Sequence, residues 1–176
     1  ALADHVRDPH AGGLTPSDLP LVRLDQATVE RFEQRYGPLA TVWPPAPLQT
    51  GLLIHALLAD TTADAYVVQL CFELRGTVDP DRLRRAATIL LDRYPNLRAA
   101  FTGDGTGGFV QVIPEHVDLP WTVLDFTGHD DPDTDAEIVL DTDRSTRFDT
   151  TTAPLLRGTV IRTGADRYRL ALTNHH

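Results

Sequence analysis

The chain has 176 residues, of which 41% are hydrophobic and 23% charged, as expected for a globular domain with its own core. Its formal net charge of −9 argues against nucleic acid as a partner, because a phosphate backbone requires clustered cations. We find neither the run of about 18 apolar residues that a membrane span requires nor a cationic and apolar leader, so we expect a cytoplasmic protein without membrane contact.

Rare and missing residue types exclude several kinds of chemistry. Cys71 is the one cysteine, which excludes an internal disulfide, and its apolar, strand-like surroundings predict a small buried side chain. The sequence has no lysine, which excludes Schiff-base chemistry and a phosphate-loop lysine. Neither serine lies in a G-x-S-x-G elbow, so no acyl-enzyme nucleophile is evident. The absence of a starting methionine suggests that the sequence was taken from a longer polypeptide.

The N-terminal part of the chain is irregular and then helical. Residues 1–24 show no hydrophobic period, and we interpret them as a helix stub at residues 1–6 followed by a linker. Asp25 is a suitable N-cap for a short helix that runs through Arg35 and ends at Gly37.

The next two elements are expected to be strongly apolar. "TVWPPAPLQTGLLIHALLAD" predicts a helix from Leu48, where the prolines stop. Because apolar residues occupy most of this helix, we expect it to be largely buried, with His55 as a hydrogen-bonded core histidine. "AYVVQLCFELRG" then predicts a strand, with Val68, Leu70 and Phe72 on one face.

A well-marked helix and three short strands follow. Asp79 and Pro80 are typical of a helix N-terminus, and Pro95 prevents its continuation. The buried stripe of this helix is expected to consist of Leu83, Ala86, Ala87, Leu90 and Tyr94. Strands are expected at residues 97–102, 109–113 and 121–126. "GDGTGG" between the first two predicts a hairpin turn rather than a phosphate loop, because neither a lysine nor a helix follows it.

The C-terminal part predicts an acidic helix at residues 134–147 and then a pair of strands. The strands are expected at residues 155–162 and 167–176, around a turn at residues 164–166. Strands and helices without strict alternation favour an α/β sandwich over a doubly wound sheet.

The chain ends in two adjacent histidines. Neighbouring side chains on a strand point to opposite faces, so His175 and His176 cannot chelate one metal together, and we expect no metal site. Strand alternation places His176 beside apolar residues, where a neutral imidazole is suited to act as a general base. On the residues alone, catalysis, a structural role and a tag remnant all remain open. The remaining histidines outside the apolar helix are expected to be solvated or unpartnered: His5, His10, His116 and His129.

Four stretches, in order, resemble the core motifs of the condensation domains of non-ribosomal peptide synthetases. "PPAPLQTGLLIHALL" is similar to S-P-L-Q-x-G-x-L-x-H, with Ala46 in place of serine. "RYPNLRAAF" resembles R-H-x-x-L-R-x-x-F, with Tyr94 in place of histidine. "RFDTTTAPLLRGTVIR" resembles F-D-L-x-x-x-P-L-L-R, with Thr150 in place of leucine. "LALTNHH" matches the start of H-H-x-x-x-D-G, at the expected distance.

The resemblance implies a chloramphenicol-acetyltransferase-like sandwich of two lobes, with this chain as the N-terminal lobe only. It implies that residues 1–38 are the end of a carrier-domain helix, a linker and a short helix, and that residues 39–176 are the lobe, truncated within the HHxxxDG motif. The implied partners are the upstream and downstream peptidyl carrier domains, the C-terminal lobe and the adjacent adenylation domain. No cofactor is bound directly, and the phosphopantetheine arms of the carriers bring the substrates.

The implied reaction forms an amide bond between a donor acyl or peptidyl thioester and an acceptor aminoacyl thioester. The resemblance makes His176 the catalytic residue, acting either as a base or by positioning the amine and stabilising charge. His175, Arg98 and Asn174 are the supporting residues, with Arg98 pairing with the aspartate of the motif. Because that aspartate and the second lobe lie outside the sequence, we expect the isolated chain to be inactive.

Related domains provide the alternatives. Epimerisation domains share the histidine motif but usually differ in the first motif, and heterocyclisation domains carry aspartates in place of the two histidines. A non-catalytic recruitment domain of the same fold also remains open, because the Asp-Gly part of the motif is not in the sequence.

Overall fold

The computed structural model describes residues 13–58 and 66–176, with no side-chain description for residues 56–58. The helix stub expected at residues 1–6 lies outside the described residues. The α-helices are α1 Gln26–Tyr36, α2 Pro47–Leu58, α3 Pro80–Arg93 and α4 Pro132–Ser145. The strands are β1 Leu39–Trp43, β2 Val67–Arg75, β3 Ala100–Gly103, β4 Phe109–Pro114, β5 Trp121–Asp125, β6 Leu156–Arg162 and β7 Arg167–His175. None of the helices in the described residues combines the length and apolar character needed to cross a membrane.

The strands form two separate sheets. Sheet A has the order β1-β4-β3 and is antiparallel, and sheet B has the order β2-β7-β6-β5. Strand β7 is central in sheet B, antiparallel to both β2 and β6, whereas β5 pairs in parallel with β6. This arrangement of helices and two sheets confirms the predicted α/β sandwich.

Helix α1 forms as its local sequence predicts and covers one face of sheet A. The Asp25 carboxylate accepts a hydrogen bond from the Thr28 backbone N–H at 2.8 Å, and Gly37 ends the helix with a φ of 77°. The core that joins the helix and the preceding segment to the sheet consists of Leu19, Val29, Phe32, Leu39, Val42, Val110 and Val112. Burial of these side chains fixes sheet A against α1.

The β3–β4 connection is a tight turn, as predicted. Asp104 Oδ1 accepts hydrogen bonds from the backbone N–H groups of Thr106 at 2.7 Å and Gly108 at 3.0 Å. Gly105 and Gly107 have φ values of 86° and 101°, which a residue with a Cβ rarely adopts. The glycines therefore shape a hairpin.

Two boundaries in sheet A differ from the sequence prediction. The strand expected at residues 97–102 is shorter, because Pro95–Arg98 is a 3₁₀ turn with proline at its first position and β3 begins at Ala100. Strand β1 was not predicted, since it spans only five residues between prolines, and its pairing with β4 is a long-range contact.

The buried stripe of α3 also differs from the prediction. Leu91 is buried and Leu83 and Ala87 are half-buried, so the inward residues recur at every fourth position. Ala86 is exposed, and Leu90 and Tyr94 are 49% and 45% exposed. The prediction therefore included too many residues. The rest of the described chain packs against α3 only along the row that contains Leu83, Ala87 and Leu91.

Two further burial predictions were wrong. Helix α2 buries Leu53 but leaves Ile54 45% exposed, and His55 is an exposed residue whose ring meets the edge of the Tyr66 ring at a centroid distance of 5.6 Å. Cys71 is exposed, not buried. In both cases the apolar sequence indicated burial. The described residues cover α2 on one side only, whereas Cys71 lies on the α4 side of the edge strand β2, which α4 covers incompletely.

Candidate active site

A groove of about 390 Å³ opens between the two sheets. Its walls are mainly apolar, with Phe101 from sheet A, Leu70 and Leu172 from sheet B, and Leu90 from α3 among the lining residues. Polar groups enter it from Gln49, Asn96, Gln111, Asn174, His175 and His176. An apolar cleft with a few convergent polar groups is the usual form of a small-molecule site.

Strand β7 brings the C-terminal histidines to this groove. Along the strand the predicted alternation is found: Ala171 packs against α4 and the Thr173 hydroxyl donates to Asp143 of α4, whereas Leu172 and Asn174 border the groove. The Asn174 amide donates to the His175 carbonyl at 3.1 Å. The central position of β7 in sheet B therefore delivers its last residues to the cleft between the sheets.

Main-chain hydrogen bonds hold the two histidines, one to the residue before β2 and the other to the residue before β6. The His176 N–H donates to the Tyr66 carbonyl at 2.8 Å, and the His175 N–H donates to the Leu155 carbonyl at 3.1 Å. His175 is half-buried, with Nε2 buried and the Tyr66 ring 6.1 Å away between centroids, whereas His176 is exposed. The imidazole of His176 is thus the accessible one of the two.

A polar network behind β7 supports its C-terminal half. Asp143 of α4 forms an ion pair with Arg157 of β6 at 2.6 Å, in which both side chains are more than four-fifths buried. The second oxygen of Asp143 accepts from the Gln69 amide at 2.9 Å and from the Thr173 hydroxyl. The Arg157 guanidinium also lies 4.1 Å from the centroid of the Phe148 ring. Three strands and α4 are therefore joined directly behind the residues that precede the histidines.

Arg98 lies between Leu97 and Ala99, which line the groove, and its side chain ties α3 to sheet A. Its side chain is buried, Nε donates to the Pro114 carbonyl at 2.9 Å, and Nη1 donates to the Leu91 and Asp92 carbonyls. The last two carbonyls belong to the C-terminal turn of α3, where a cation is favourable. Nη2 has no acceptor among the described residues, and the expected pairing with a motif aspartate stays a prediction.

The loop between α4 and β6 connects the groove to α1 and β3. The Phe101 N–H donates to the Thr150 carbonyl at 2.7 Å, and the Arg35 guanidinium donates to the Thr151 hydroxyl at 2.6 Å. Within the loop, the hydroxyl and then the backbone N–H of Thr151 stabilise the Asp149 carboxylate and hold its pKa below the usual value. The loop therefore has a defined shape where it borders the groove.

Two glutamines of the groove were not predicted as site residues. Gln49 Oε1 accepts from the Ala46 N–H at 2.8 Å and from Gln111 Nε2 at 3.0 Å, and the same Nε2 donates to the Pro44 carbonyl at 3.0 Å. Gln111 is only 7% exposed. The signals that could have found them were an isolated polar residue in the apolar strand "FVQVIP" and a glutamine three positions after a helix cap.

Within residues 13–58 and 66–176 no group of three or more His, Cys, Asp or Glu side chains could hold a metal ion. The described groove presents an exposed histidine, His176, at the end of a firmly held strand and next to an apolar wall.

Comparisons with known proteins agree with this geometry. The family model described as "Condensation domain" matches residues 40–176. The chain is 33% identical to a linear gramicidin synthase of Brevibacillus parabrevis over 99% of its length, and 30% identical to bacitracin synthase 1 of Bacillus licheniformis over 99%. It spans 2% and 3% of the length of these two curated relatives.

Solved structures show the same fold. The tallysomycin biosynthesis protein TlmII superposes with a TM-score of 0.66 at 28% identity, over 76% of this chain and 33% of that one. The first condensation domain of the calcium-dependent antibiotic synthetase superposes with a TM-score of 0.69 at 21% identity, over 78% of this chain and 35% of that one. The matched third corresponds to the N-terminal lobe of the chloramphenicol-acetyltransferase-like sandwich. The chain thus belongs to the condensation-domain family of non-ribosomal peptide synthetases.

Proposed function

We propose that this chain supplies the histidine-bearing lobe of a domain that joins a donor acyl or peptidyl thioester to an acceptor aminoacyl thioester. The observation that carries the proposal is the position of His176, which is exposed at the end of the central strand of sheet B and borders the groove between the sheets. The C-terminal lobe, the two flanking carrier domains with their phosphopantetheine arms and the adjacent adenylation domain are the proposed partners. Residues 1–38 are proposed to be the connection from the upstream carrier.

In the proposed reaction the acceptor amine attacks the donor thioester carbonyl. A C–N bond forms, the C–S bond breaks, and the proton lost by the amine ends on the carrier thiol. His176 either accepts that proton or holds the amine and stabilises the charge that develops. Neither role needs a covalent intermediate on the protein. His175 and Asn174 are proposed to position this end of β7, and Arg98 to pair with the motif aspartate.

The test is His176→Ala in the complete domain that contains this chain, with transfer measured between two loaded carriers. A general base contributes about 100-fold to 10,000-fold, so a loss of at least about 100-fold with intact carrier loading is expected. The same substitution at the exposed His116, away from the groove, is the matched control and should leave transfer unchanged. Transfer within a few-fold of the parent domain would contradict the proposal.

Two further experiments distinguish the two roles of His176 and test the need for the second lobe. His176→Gln keeps hydrogen-bonding capacity but cannot titrate, so partial activity without the parent's pH dependence would favour positioning over proton transfer. The isolated chain should form no dipeptide from two loaded carriers, and clear turnover would contradict the proposed need for the second lobe. An Asp-Gly pair four and five positions beyond His176 in the parent sequence would complete the motif.

A further inference from the structure

Gln49 and Gln111 form a rigid pair of amides in the groove wall. Gln49 lies in the first turn of α2, and Gln111 lies in the middle of β4, where it is only 7% exposed. The two side chains are joined by the 3.0 Å hydrogen bond from Gln111 Nε2 to Gln49 Oε1. Both border the same groove as His176.

The orientation of each amide is fixed by main-chain groups. Gln49 accepts from the Ala46 N–H, which can only donate, so the atom at this contact must be the oxygen of Gln49. Gln111 contacts the Pro44 carbonyl and the Gln49 oxygen, which can only accept, so the atom there must be the nitrogen of Gln111. The usual ambiguity between amide oxygen and nitrogen is therefore absent.

This orientation leaves one donor and one acceptor unused. Gln49 Nε2 and Gln111 Oε1 make no hydrogen bond to any described residue, although the other polar atom of each side chain makes two contacts. Both atoms keep some contact with solvent, since neither is a buried atom without a partner. A ligand in the groove can therefore replace water at the free donor and at the free acceptor.

The chemistry of the pair selects the kind of ligand. The two free atoms are uncharged, and no Lys, Arg, Asp or Glu is among the described residues that line the groove. A carboxylate or ammonium would lose hydration there without a counter-charge. A chain that carries a secondary amide offers both required groups, a carbonyl for Gln49 Nε2 and an N–H for Gln111 Oε1.

We propose that Gln49 and Gln111 bind a secondary amide of the thioester-bound substrate and thereby position the thioester in the groove that His176 borders. The inference rests on the proposed function for the identity of the substrate. The amide belongs either to the arm that carries the thioester or to the backbone of a peptidyl donor, and both have the same hydrogen-bonding groups. Gln49 and Gln111 are positioning residues, because neither contacts the reacting atoms.

Gln49→Glu is the sharpest perturbation. Its carboxylate keeps an oxygen for the Ala46 N–H and for Gln111 Nε2, and a negative charge in the first turn of a helix is favourable, so the fold is retained. The variant replaces the free donor by a second carboxylate oxygen and adds a negative charge, and a substrate without an amide reports the effect of the charge alone. Gln34→Glu is the matched control, since it makes the same charge change on the exposed surface of α1.

The kinetic experiment uses the complete domain and three acceptor thioesters of one amino acid: the N-acetylcysteamine thioester, its ester analogue in which oxygen replaces the amide N–H, and the butyl thioester. Gln49→Glu should raise KM for the first about tenfold, the size of one hydrogen bond, with kcat little changed. The butyl thioester should show no such increase. In the parent domain, the ester analogue should lose the contact to Gln111 and show a KM raised about fivefold.

A parallel donor series separates the two sources of the amide: an aminoacyl N-acetylcysteamine thioester carries only the amide of the arm, and a dipeptidyl butyl thioester carries only the amide of the peptide. An increase confined to the N-acetylcysteamine thioesters assigns the site to the carrier arm, and an increase confined to the dipeptidyl donor assigns it to the peptide. An increase for the butyl acceptor as large as for the amide-bearing substrates, or no increase for any substrate, would overturn the inference. Gln34→Glu should change no KM in either series.

A binding measurement separates this inference from the proposed reaction. In the ¹⁵N-labelled domain, pantetheine or N-acetylalanine methylamide should shift the side-chain amide signals of Gln49 and Gln111, and butanethiol should not. Such shifts in a domain that forms no amide bond would support the site while refuting the proposed function. Unchanged signals with both amide probes would refute the site even if His176→Ala abolishes transfer.

Discussion

Replacing Ala46 by serine should stabilise the N-terminus of α2. The Ala46 carbonyl accepts from the Thr50 N–H at 3.0 Å, which makes Ala46 the N-cap, with Pro47 and Gln49 at the first and third helical positions. Gln49 Oε1 already accepts from the Ala46 N–H at 2.8 Å, and this contact is half of a capping box. A serine hydroxyl would supply the other half by accepting from the Gln49 N–H.

The missing half is worth about 1 kcal/mol, so Ala46→Ser should raise the melting temperature of a protein of this size by about 2–4 °C. Thermal unfolding of the parent and the variant measures the shift. Ala46→Val is the control, because it adds volume without an acceptor, and it should give no gain. Equal melting temperatures for the serine and valine variants would refute the capping argument.

Three further substitutions test other contacts around the groove. Arg98→Met leaves the Pro114, Leu91 and Asp92 carbonyls without their donor, so the free energy of unfolding in urea should fall by about 3 kcal/mol with an unchanged denaturant slope. Asp143→Asn leaves Arg157 largely buried without its counter-ion and should cost about 3 kcal/mol, whereas the double variant with Arg157→Met should lose less than the sum of the single losses. The pKa of Asp149 is lower in the folded protein than in the unfolded chain. Its ionised form therefore stabilises the fold above the unfolded-state pKa, and this stabilisation is lost as the pH falls through the folded-state pKa. Asp149→Asn should therefore flatten the fall in stability between about pH 5 and pH 3, and an identical pH profile for parent and variant would contradict this assignment.

Local signals were sufficient for most helices and turns. The Asp25 and Asp79 caps, the Gly37 terminator and the glycine hairpin at residues 103–108 depend on contacts within a few residues of the chain, so the sequence contains their causes. The alternation of β7 was predicted for the same reason. The strand period places Leu172 and Thr173 on opposite faces, and packing then decides that Leu172 borders the groove while Thr173 meets α4.

Burial was predicted less well, because it depends on which segments pack together. Leu70 and Phe72 of β2 are 52% and 46% exposed, although alternation correctly places them on one face. Leu90 of α3, which lines the groove between the sheets together with Leu70, is 49% exposed. A periodic pattern identifies an apolar face but not the segments that pack against it. Within the described residues, the packing against the Leu70 and Phe72 face of β2 is incomplete.

The polar contacts of the candidate site were beyond the reach of the sequence for a related reason. Gln49 and Gln111 are 62 positions apart, and Gln69 and Asp143 are 74 apart. No spacing rule links such pairs, since their contact depends on the pairing order of two sheets. The motif resemblance placed His176 and Arg98 in a site, yet the Arg98 partners that the structure provides are backbone carbonyls, which leave no motif in the sequence.

The three departures from the family motifs lie where the structure uses the main chain. At Ala46 the backbone N–H donates to the Gln49 side chain that in turn accepts from Gln111, so alanine is accommodated at the cost of one cap hydrogen bond. At Tyr94 the backbone N–H donates to the Leu90 carbonyl at 3.0 Å and ends α3, while the side chain is 45% exposed. At Thr150 the carbonyl accepts from the Phe101 N–H at 2.7 Å. Because a main-chain contact is available to almost any residue, these three substitutions leave the connections of the groove wall in place.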